Sequence, residues 1–243
     1  MKINAIILAA GRGTRMKSEL PKCAYPVCGK PMISYILDAC KNANVDDICV
    51  VVGHKKEVFE EMLKGTVSFA YQEEQLGTGH AIKCAKEFYQ NKEGITLIFP
   101  GDMPLIDTDT IKGLIANHLE NKNDLTVVTT IVDDPFGYGR IYKENSQIIK
   151  IIEEKEATLV EKEIKEINTG LYCINTNLLF SSVDLIKNDN NKGEYYLTDI
   201  VEILGKIKKV NSYIVPFDFK LTGINDVMTL KKVEEEYQQQ LTK

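Results

Sequence analysis

Residues 3–16 read INAIILAAGRGTRM, and this stretch decides the fold. The segment Ile3–Ala9 is a continuous apolar run that leads into glycine, which is typical of a parallel strand buried on both faces of a sheet. The glycines that follow let the backbone approach a ligand closely and leave N–H groups free for anionic oxygen atoms. The stretch therefore predicts an α/β protein with an anion-binding loop after its first strand.

Strand and helix patterns alternate after this loop as far as about residue 120. The predicted strands are Ile3–Ala9, Asp47–Val52, Val67–Tyr71 and Ile95–Phe99, and the predicted helices are Pro31–Ala43, Lys55–Leu63, Gly79–Tyr89 and Thr108–Leu119, the last capped by Asp107 or Thr108. This order predicts a mostly parallel, Rossmann-like sheet with helices on both faces. Because ligands bind such sheets at the carboxyl ends of strands, we expect a site at the loops after Ala9, Tyr71 and Phe99.

The second half is richer in strands. Its predicted strands are Leu125–Val132, Gly139–Tyr142, Gln147–Glu153, Glu166–Ile174 and Val210–Pro216, and its predicted helices are Thr176–Ile186, Glu194–Ile207 and Val227–Gln240. We expect one domain over residues 1–226, with halves at about 1–120 and 121–226, followed by a helical segment over 227–243.

Composition excludes several classes of protein. With 243 residues, 44% of them hydrophobic, the chain has enough apolar material for a folded core, which argues against disorder. Its longest apolar run, Ala5–Ala10, is too short for a membrane span, and no signal-peptide pattern opens the chain. A net charge of −5 argues against a nucleic-acid-coating protein. We expect a cytoplasmic protein that binds neither nucleic acid nor membrane.

The cysteines and histidines show no metal-site pattern. The six cysteines are Cys23, Cys28, Cys40, Cys49, Cys84 and Cys173, and none forms a C-x-x-C pair. We interpret them as reduced thiols, of which Cys23 and Cys28 flank a loop and could be exposed. The histidines His54, His80 and His118 are isolated, and we expect structural roles for them, with His118 on a helix surface. Zinc and hydrolase chemistry therefore lack a motif.

Basic residues gather around the first loop. The three arginines, Arg12, Arg15 and Arg140, all lie in glycine-containing motifs. Arg15 and Lys22 beside a glycine loop favour an anion site, whereas a tight turn between strand and helix is the alternative. Met16 occupies the place of the third glycine of a dinucleotide-binding loop, so that motif is absent.

Two further strand ends carry polar residues. Asp102 follows the predicted strand Ile95–Phe99 and is a natural Mg²⁺ ligand, although a turn-forming aspartate is the alternative. Gln72 can recognise a pyrimidine edge, since its amide offers both a donor and an acceptor. Gly77 and Thr78 can present N–H groups at a helix start, where Thr78 could equally act as an N-cap.

Polar groups in the second half suit sugar hydroxyls, which need donors and acceptors together. These groups are Gly139, Glu153, Asn168, Thr169 and Thr198. An exposed strand face for Glu153 and a turn for Asn168 are equally compatible with the pattern.

The motifs resemble, in their order, those of the sugar-1-phosphate nucleotidyltransferases. The resemblance rests on Leu8–Met16 with Pro21-Lys22, Gln75–Ala81, Gly101–Leu105, Gly137–Ile141, Glu166–Gly170, Glu194–Asp199 and Asn225. Over essentially the whole chain, these segments are most similar to the uridylyltransferase domain of the bifunctional bacterial enzymes that make UDP-N-acetylglucosamine. The resemblance implies UTP and N-acetylglucosamine 1-phosphate as substrates, Mg²⁺ as cofactor, and a nucleotide-diphospho-sugar transferase fold with a nucleotide-binding first half and a smaller β-rich, sugar-binding second half.

The resemblance also implies a role for each matching residue. It assigns catalysis to Arg15 and Lys22, metal binding to Asp102 and Asn225, nucleotide contacts to Leu8, Ala9, Ala10, Gly11, Gln72, Gly77 and Thr78, and sugar contacts to Gly139, Glu153, Asn168, Thr169 and Thr198. A sibling enzyme with another sugar phosphate or base is the nearest alternative, and an inactive nucleotide-sugar-binding regulator is a more distant one.

The chain departs from the family pattern in two places. Pro100 replaces the residue often found before the Gly-Asp pair, which puts a base or ribose contact there in doubt. The longer family members continue into a left-handed β-helix that acetylates glucosamine 1-phosphate and assembles trimers, and these 243 residues contain no hexapeptide repeats. We therefore expect no acetyltransferase activity, a monomer or weak dimer, and either a truncated chain or a stand-alone enzyme.

Overall fold

The computed structural model describes residues 1–16, 18–89 and 92–242. Its strands are β1 (Ile3–Leu8), β2 (Pro26–Val27), β3 (Lys30–Pro31), β4 (Asp47–Val52), β5 (Ser68–Tyr71), β6 (Ile95–Pro100), β7 (Leu125–Ile131), β8 (Arg140–Glu144), β9 (Gln147–Ile152), β10 (Glu166–Asn175) and β11 (Val210–Ile214). Its α-helices are α1 (Met32–Asn42), α2 (Lys56–Met62), α3 (Thr78–Cys84), α4 (Lys86–Tyr89), α5 (Thr108–Glu120), α6 (Thr176–Ser182), α7 (Asp199–Gly205) and α8 (Val227–Leu241). Lys243, the last residue of the expected C-terminal segment, lies outside the described residues.

One sheet joins both halves of the chain. Its main path is β11–β7–β10–β6–β1–β4–β5, with the hairpin β8–β9 attached beside β10. β1 pairs in parallel with β4 and β6, and β4 pairs in parallel with β5, whereas β10 runs antiparallel to both β6 and β7. The register places Leu8 opposite Pro100 and Val51, so three strands end at one edge. The predicted α/β fold with its mostly parallel sheet is confirmed.

The buried strands supply a core on each face of the sheet. Ile6, Val51 and Ile98 pack on the face that α3, α6 and α7 cover. Ile7 and Val50 point to the other face, which α1, α2 and α5 cover. This alternation explains why the strands read as nearly continuous apolar runs. α8 packs separately, on a third cluster that includes residues of α1 and the segment before it.

The helix predicted over Glu194–Ile207 is wrong at its start, because the structure begins α7 at Asp199. The backbone before it is hydrogen-bonded elsewhere: Tyr195 N donates to Leu76 O at 2.8 Å, and Gly79 N donates to Tyr195 O at 2.8 Å. These long-range partners replace the helical ones, so α7 does not extend back to Glu194.

Two smaller expectations also change. The helix predicted over Thr176–Ile186 ends at Ser182 and continues as a 3₁₀ turn, and the helix predicted over Gly79–Tyr89 divides into α3 and α4. Asp107, one of the two proposed caps, caps α5 by accepting a hydrogen bond from Thr110 N at 2.8 Å.

Within the described ranges, no helix combines the length and apolar character that crossing a bilayer requires.

Two exposure expectations are wrong. His118 is buried rather than on a helix surface, with its Nδ1 2.9 Å from Thr126 Oγ1, and burial lowers its pKa. Cys23 is also buried, and burial raises the pKa of its thiol to about 12. The pattern misleads because His118 faces β7, which follows α5, and Cys23 packs against Gly101 at the end of β6. Cys28 is partly exposed, as expected.

Gly101 tests the close approach of β1 and β6. A Cβ at this position would lie 2.5 Å from Leu8 O and 2.8 Å from Cys23 Sγ. We expect Gly101→Ala to lower the free energy of unfolding by about 1–3 kcal/mol, the usual cost of overpacking. Urea denaturation followed by circular dichroism measures it.

Gly11→Ala is the matched control, since a Cβ there would meet nothing within 4 Å. Its free energy of unfolding should change by less than about 0.5 kcal/mol. Equal losses in the two variants would contradict the steric explanation.

Candidate active site

A cleft of about 730 Å³ opens at the edge where β1, β5 and β6 end. Both halves of the chain line it. The lining residues of the first half are Leu8, Ala10, Gly11, Lys22, Cys23, Gln72, Gln75, Gly77, Thr78, Ala81, Pro100, Gly101 and Asp102. Those of the second half are Phe136, Gly137, Glu153, Glu154, Lys155, Lys192, Glu194 and Tyr196. Of the expected site residues, Ala9, Arg15, Gly139, Asn168, Thr169, Thr198 and Asn225 do not line the cleft directly. The cleft lies where strand order alone placed a ligand site.

A cluster of four polar residues closes one end of the cleft. Lys22 Nζ donates a hydrogen bond to Asp102 Oδ2 and another, of 2.8 Å, to Asn225 Oδ1. Arg15 Nη2 donates to the same Asn225 oxygen at 2.9 Å. Ile224 N donates to the backbone oxygen of Asp102 at 2.7 Å, which fixes the C-terminal segment against the end of β6. Four residues from three separate segments thus meet, all four being residues singled out from the sequence.

The oxygen atoms of this cluster suit a divalent cation. Asp102 Oδ2 and Asn225 Oδ1 converge on a single cationic atom, Lys22 Nζ. Mg²⁺ takes oxygen ligands and commonly only one or two from protein, with water and phosphate completing its shell. Across the described residues, no group of three or more His, Cys, Asp or Glu side chains is arranged to hold a metal. A metal here would therefore need ligands beyond these two side chains to complete its coordination.

The first loop is held against the loop after β5. Arg12 Nε donates to Gln75 Oε1 at 3.1 Å, and Ala9 N donates to Val51 O at 2.9 Å. Ala9 is buried in the core beneath the cleft, while Ala10 and Gly11 line it. The backbone of this loop is thereby fixed at the cleft surface.

Gly77 allows the chain to turn into α3. Its φ of +106° is unfavourable for other residues, and a Cβ would lie 2.5 Å from Tyr195 O. Thr78 is not the N-cap, because Gly77 occupies that position. The Thr78 hydroxyl oxygen instead accepts a hydrogen bond from Leu197 N at 2.9 Å. Thr78 therefore connects the helix start to the second half of the chain.

The expected sugar-side residues form a neighbouring group. Glu153 lines the cleft and accepts a hydrogen bond of 2.9 Å from Thr198 Oγ1. A Cβ on Gly139 would lie 3.7 Å from Asn168 Cβ and 3.9 Å from Glu153 Oε1. Four of the five residues are thus adjacent, and Glu153 is the one of them that lines the cleft.

Asn168 and Thr169 also support the local backbone. Asn168 Oδ1 accepts from Gly170 N at 3.0 Å, and Asn168 Nδ2 donates to the buried Tyr172 hydroxyl at 2.8 Å. Thr169 Oγ1 donates to Val128 O at 2.8 Å. Asn168 lies within β10, at a shift in the pairing register with β7, rather than at the end of a turn. One of its two Nδ2 hydrogens remains for a ligand.

Several lining residues were not singled out from the sequence. Phe136 is 76% exposed on the loop before β8, and Lys155 and Lys192 add cations to the same half of the cleft. No spacing rule identifies residues on such loops. Glu194 and Tyr196 lie within a segment already noted for its resemblance, which was a usable signal. Arg140 is buried and pairs with Glu154 at 2.7 Å, so it supports the rim of the cleft.

Comparisons with known proteins identify similar chains. A family profile described as Nucleotidyl transferase matches residues 4–236. The chain is 46% identical over 232 residues to the bifunctional protein GlmU of Clostridium perfringens, covering 95% of this chain and 51% of that protein. It is 45% identical over 244 residues to the bifunctional protein GlmU of Acholeplasma laidlawii, covering 100% of this chain and 53% of that protein. The chain thus spans about half the length of these relatives.

Solved structures share the fold. An apo UDP-glucose pyrophosphorylase superposes with a TM-score of 0.79 at 19% identity, covering 99% of both chains. A putative glucose-1-phosphate thymidylyltransferase from Bacillus anthracis superposes with a TM-score of 0.76 at 24% identity, covering 96% of this chain and 94% of that one. At these identities the likeness establishes the architecture alone.

Asp199, beside Thr198 at the start of α7, lowers the stability of the folded protein when its carboxyl group is ionised. Burial, followed by the negative charge of Glu153, raises the pKa of Asp199 to about 6. Because the folded state then binds the proton more tightly than the unfolded state, stability falls as pH rises from the unfolded value of about 4 through 6. The cost is complete above that window and absent below it.

We expect Asp199→Asn to raise the melting temperature at about pH 7.5 and to have a much smaller effect at about pH 4. Thermal unfolding at both values measures the difference. Glu235→Gln is the control, since Glu235 is an exposed carboxylate on α8 and is not among the charges that raise the pKa of Asp199. An Asp199→Asn effect that is equal at the two pH values would show that the ionised carboxylate is not the cause.

Proposed function

Because the chain belongs to the nucleotidyl transferase family, we propose that it transfers a uridylyl group from UTP to N-acetylglucosamine 1-phosphate, forming UDP-N-acetylglucosamine and pyrophosphate. The observation that carries the proposal is the meeting of Arg15, Lys22, Asp102 and Asn225 at one end of a two-walled cleft. The similarity to the bifunctional GlmU proteins favours these substrates over those of sibling enzymes.

The reaction needs positioning and charge neutralisation rather than a protein nucleophile. An oxygen of the sugar phosphate attacks the α-phosphorus of UTP, and the bond from that phosphorus to the pyrophosphate oxygen breaks. Both reactants are anions, so their approach is opposed by charge repulsion. The cleft offers cations at the point where the first loop ends.

Lys22 is placed to reduce this repulsion. Its side chain is only 12% exposed, and its ammonium group is positioned by Asp102 and Asn225. A partly desolvated ammonium interacts more strongly with phosphate than one in bulk water. Arg15, which is exposed at the rim and anchored through Asn225, would bind the departing pyrophosphate through its planar fork of donors.

Asp102 and Asn225 would hold the divalent cation, for which we propose Mg²⁺. When bound, such a cation neutralises phosphate charge and orients the reacting groups. The carboxylate and amide oxygens would each supply one ligand, and the Asp102 backbone oxygen stays engaged with Ile224 N. Binding of the cation would replace hydrogen bonds that these two oxygens accept from Lys22 and Arg15, and it would leave that backbone contact in place.

The opposite wall would bind the amino sugar. One oxygen of the Glu153 carboxylate accepts a hydrogen bond from Thr198. Gly139 lies beside both Glu153 and Asn168, which brings these two side chains near each other. A carboxylate accepts hydrogen bonds from sugar hydroxyls, and an amide hydrogen donates to one. On the first wall, Gln72 and the backbone of Ala10, Gly11 and Thr78 would bind the uridine nucleotide.

A pyrophosphate-release assay over four nucleoside triphosphates and several sugar 1-phosphates tests the proposal. We expect the highest kcat/KM with UTP and N-acetylglucosamine 1-phosphate, and loss of turnover with chelator. A higher value for another pair would identify a sibling enzyme instead. Nucleotide-sugar binding without turnover of any pair would favour a regulatory protein.

Asp102→Ala should lower kcat by at least about a hundredfold, because removing a metal ligand removes several kcal/mol of transition-state stabilisation. The fold should persist, since the backbone contact to Ile224 does not use the side chain. Initial rates across a Mg²⁺ titration measure the effect. Asp38→Ala, at an exposed position of α1, is the control and should retain the wild-type rate. Near-wild-type activity of Asp102→Ala in Mg²⁺ would refute the metal assignment.

Glu153→Ala should weaken sugar phosphate binding while leaving UTP affinity nearly unchanged. Each lost contact should cost roughly 0.5–1.5 kcal/mol, which corresponds to about two- to twelvefold in affinity. Calorimetry measures the affinity for UTP, and steady-state KM values measure the effect on the sugar phosphate.

Asn168→Ala should show the same selectivity together with a lower melting temperature, because it also loses its bonds to Gly170 and Tyr172. Equal losses of UTP and sugar affinity in Glu153→Ala would exclude the sugar-side assignment.

A further inference from the structure

Gln72 is a buried polar side chain that also faces the cleft. It is 4% exposed and stands where β5 has ended. Its backbone N–H donates to Val52 O at 2.8 Å, so the main chain at this position is fixed. The freedom that remains is the orientation of its amide, which can present either an oxygen or an NH₂ group.

Two contacts determine that orientation. Gln72 Nε2 lies 2.9 Å from Gly77 O and 3.2 Å from His80 Nδ1. A backbone carbonyl only accepts, so the atom beside Gly77 O must be the nitrogen. The second hydrogen then points to His80 Nδ1, which accepts it when the imidazole carries its hydrogen on Nε2.

The amide oxygen has no such partner. Among the described residues, no donor lies within hydrogen-bond distance of Gln72 Oε1. This oxygen is also not among the fully buried polar atoms that lack a partner, so it remains accessible. With both amide hydrogens engaged inside the protein, Gln72 presents only an acceptor to the cleft.

A lone acceptor distinguishes the two pyrimidines at one atom. Uracil carries a hydrogen on N3 and can donate it, whereas cytosine has a lone pair on N3 that would face the lone pairs of Oε1. We propose that His80 is a positioning residue that holds the Gln72 amide with its oxygen toward the cleft and thereby favours uracil over cytosine. The inference rests on the proposed function only in taking the nucleotide to bind at this wall of the cleft.

His80 is well placed for this role. It lies on α3, one turn from the Gly77 carbonyl, and its ring is 6.3 Å from that of Tyr195 between centroids. Tyr195 in turn is fixed by its hydrogen bonds to Leu76 and Gly79. Without His80, Gly77 O alone would oppose rotation of the amide, and one amide hydrogen would be left without its inner partner.

Calorimetric titration of the protein with UTP and with CTP tests the inference. We expect the wild-type protein to bind UTP more tightly than CTP. His80→Leu removes the acceptor and should reduce the ratio of the two affinities by about tenfold, the equivalent of one hydrogen bond. His80→Asn should restore most of the ratio, because the Asn oxygen can occupy the position of Nδ1. A ratio is unaffected by any fraction of protein that fails to fold.

Two results would overturn the inference: equal wild-type affinity for UTP and CTP, or a strong wild-type preference that His80→Leu leaves unchanged. These titrations contain no sugar phosphate and require no turnover. A failure of the proposed transfer to N-acetylglucosamine 1-phosphate would appear in the pyrophosphate assay and would leave the nucleotide ratios unaffected.

Discussion

The hydrogen bond from Gly101 N to Leu8 O, 3.0 Å long, closes the ends of the two central parallel strands, and the cleft depends on it. Only a residue without a side chain can approach Leu8 O so closely, because a Cβ would be 2.5 Å away. The approach places Asp102 directly beside the segment that carries Lys22. The carboxylate for which we propose metal binding and the ammonium for which we propose phosphate binding thus become neighbours through the register of β1 and β6.

A second constraint joins the wall of the cleft formed by the first half of the chain to the wall formed by the second half. The backbone of Tyr195 bonds both Leu76 and Gly79, while Leu197 N bonds the Thr78 hydroxyl. The next residue, Thr198, holds Glu153. The distance between the two walls is therefore set by backbone hydrogen bonds between distant segments. For a transfer between two bound anions, a fixed separation is what keeps the reacting atoms aligned.

Features of this arrangement that depend on local sequence could be predicted, whereas features that depend on contacts between distant segments could not. β4 was predicted with its observed bounds, since a buried parallel strand leaves a continuous apolar run between turn signals. The meeting of the first loop with Asp102 followed from the rule that parallel strands end at one edge. The non-helical segment before Asp199 was not predictable, because its hydrogen-bond partners at 76–79 leave no local periodicity. Asn225 was identified only through the family resemblance, and Lys155 and Lys192 carried no signal.

The Lys22–Asp102 pair is better understood as a feature of the site than as a source of stability. Its side chains are 12% and 25% exposed, so desolvation offsets much of their attraction. The side chains of Arg140 and Glu154 are 2% and 18% exposed, so their pairing is also offset by desolvation. Arg140 in addition donates a hydrogen bond to the backbone oxygen of Tyr138 and so fixes the cleft rim. Both members of the Lys22 pair instead line open volume. An ion pair that gains little for folding and faces a cleft has its charges available to a ligand, which is the condition that phosphate chemistry requires.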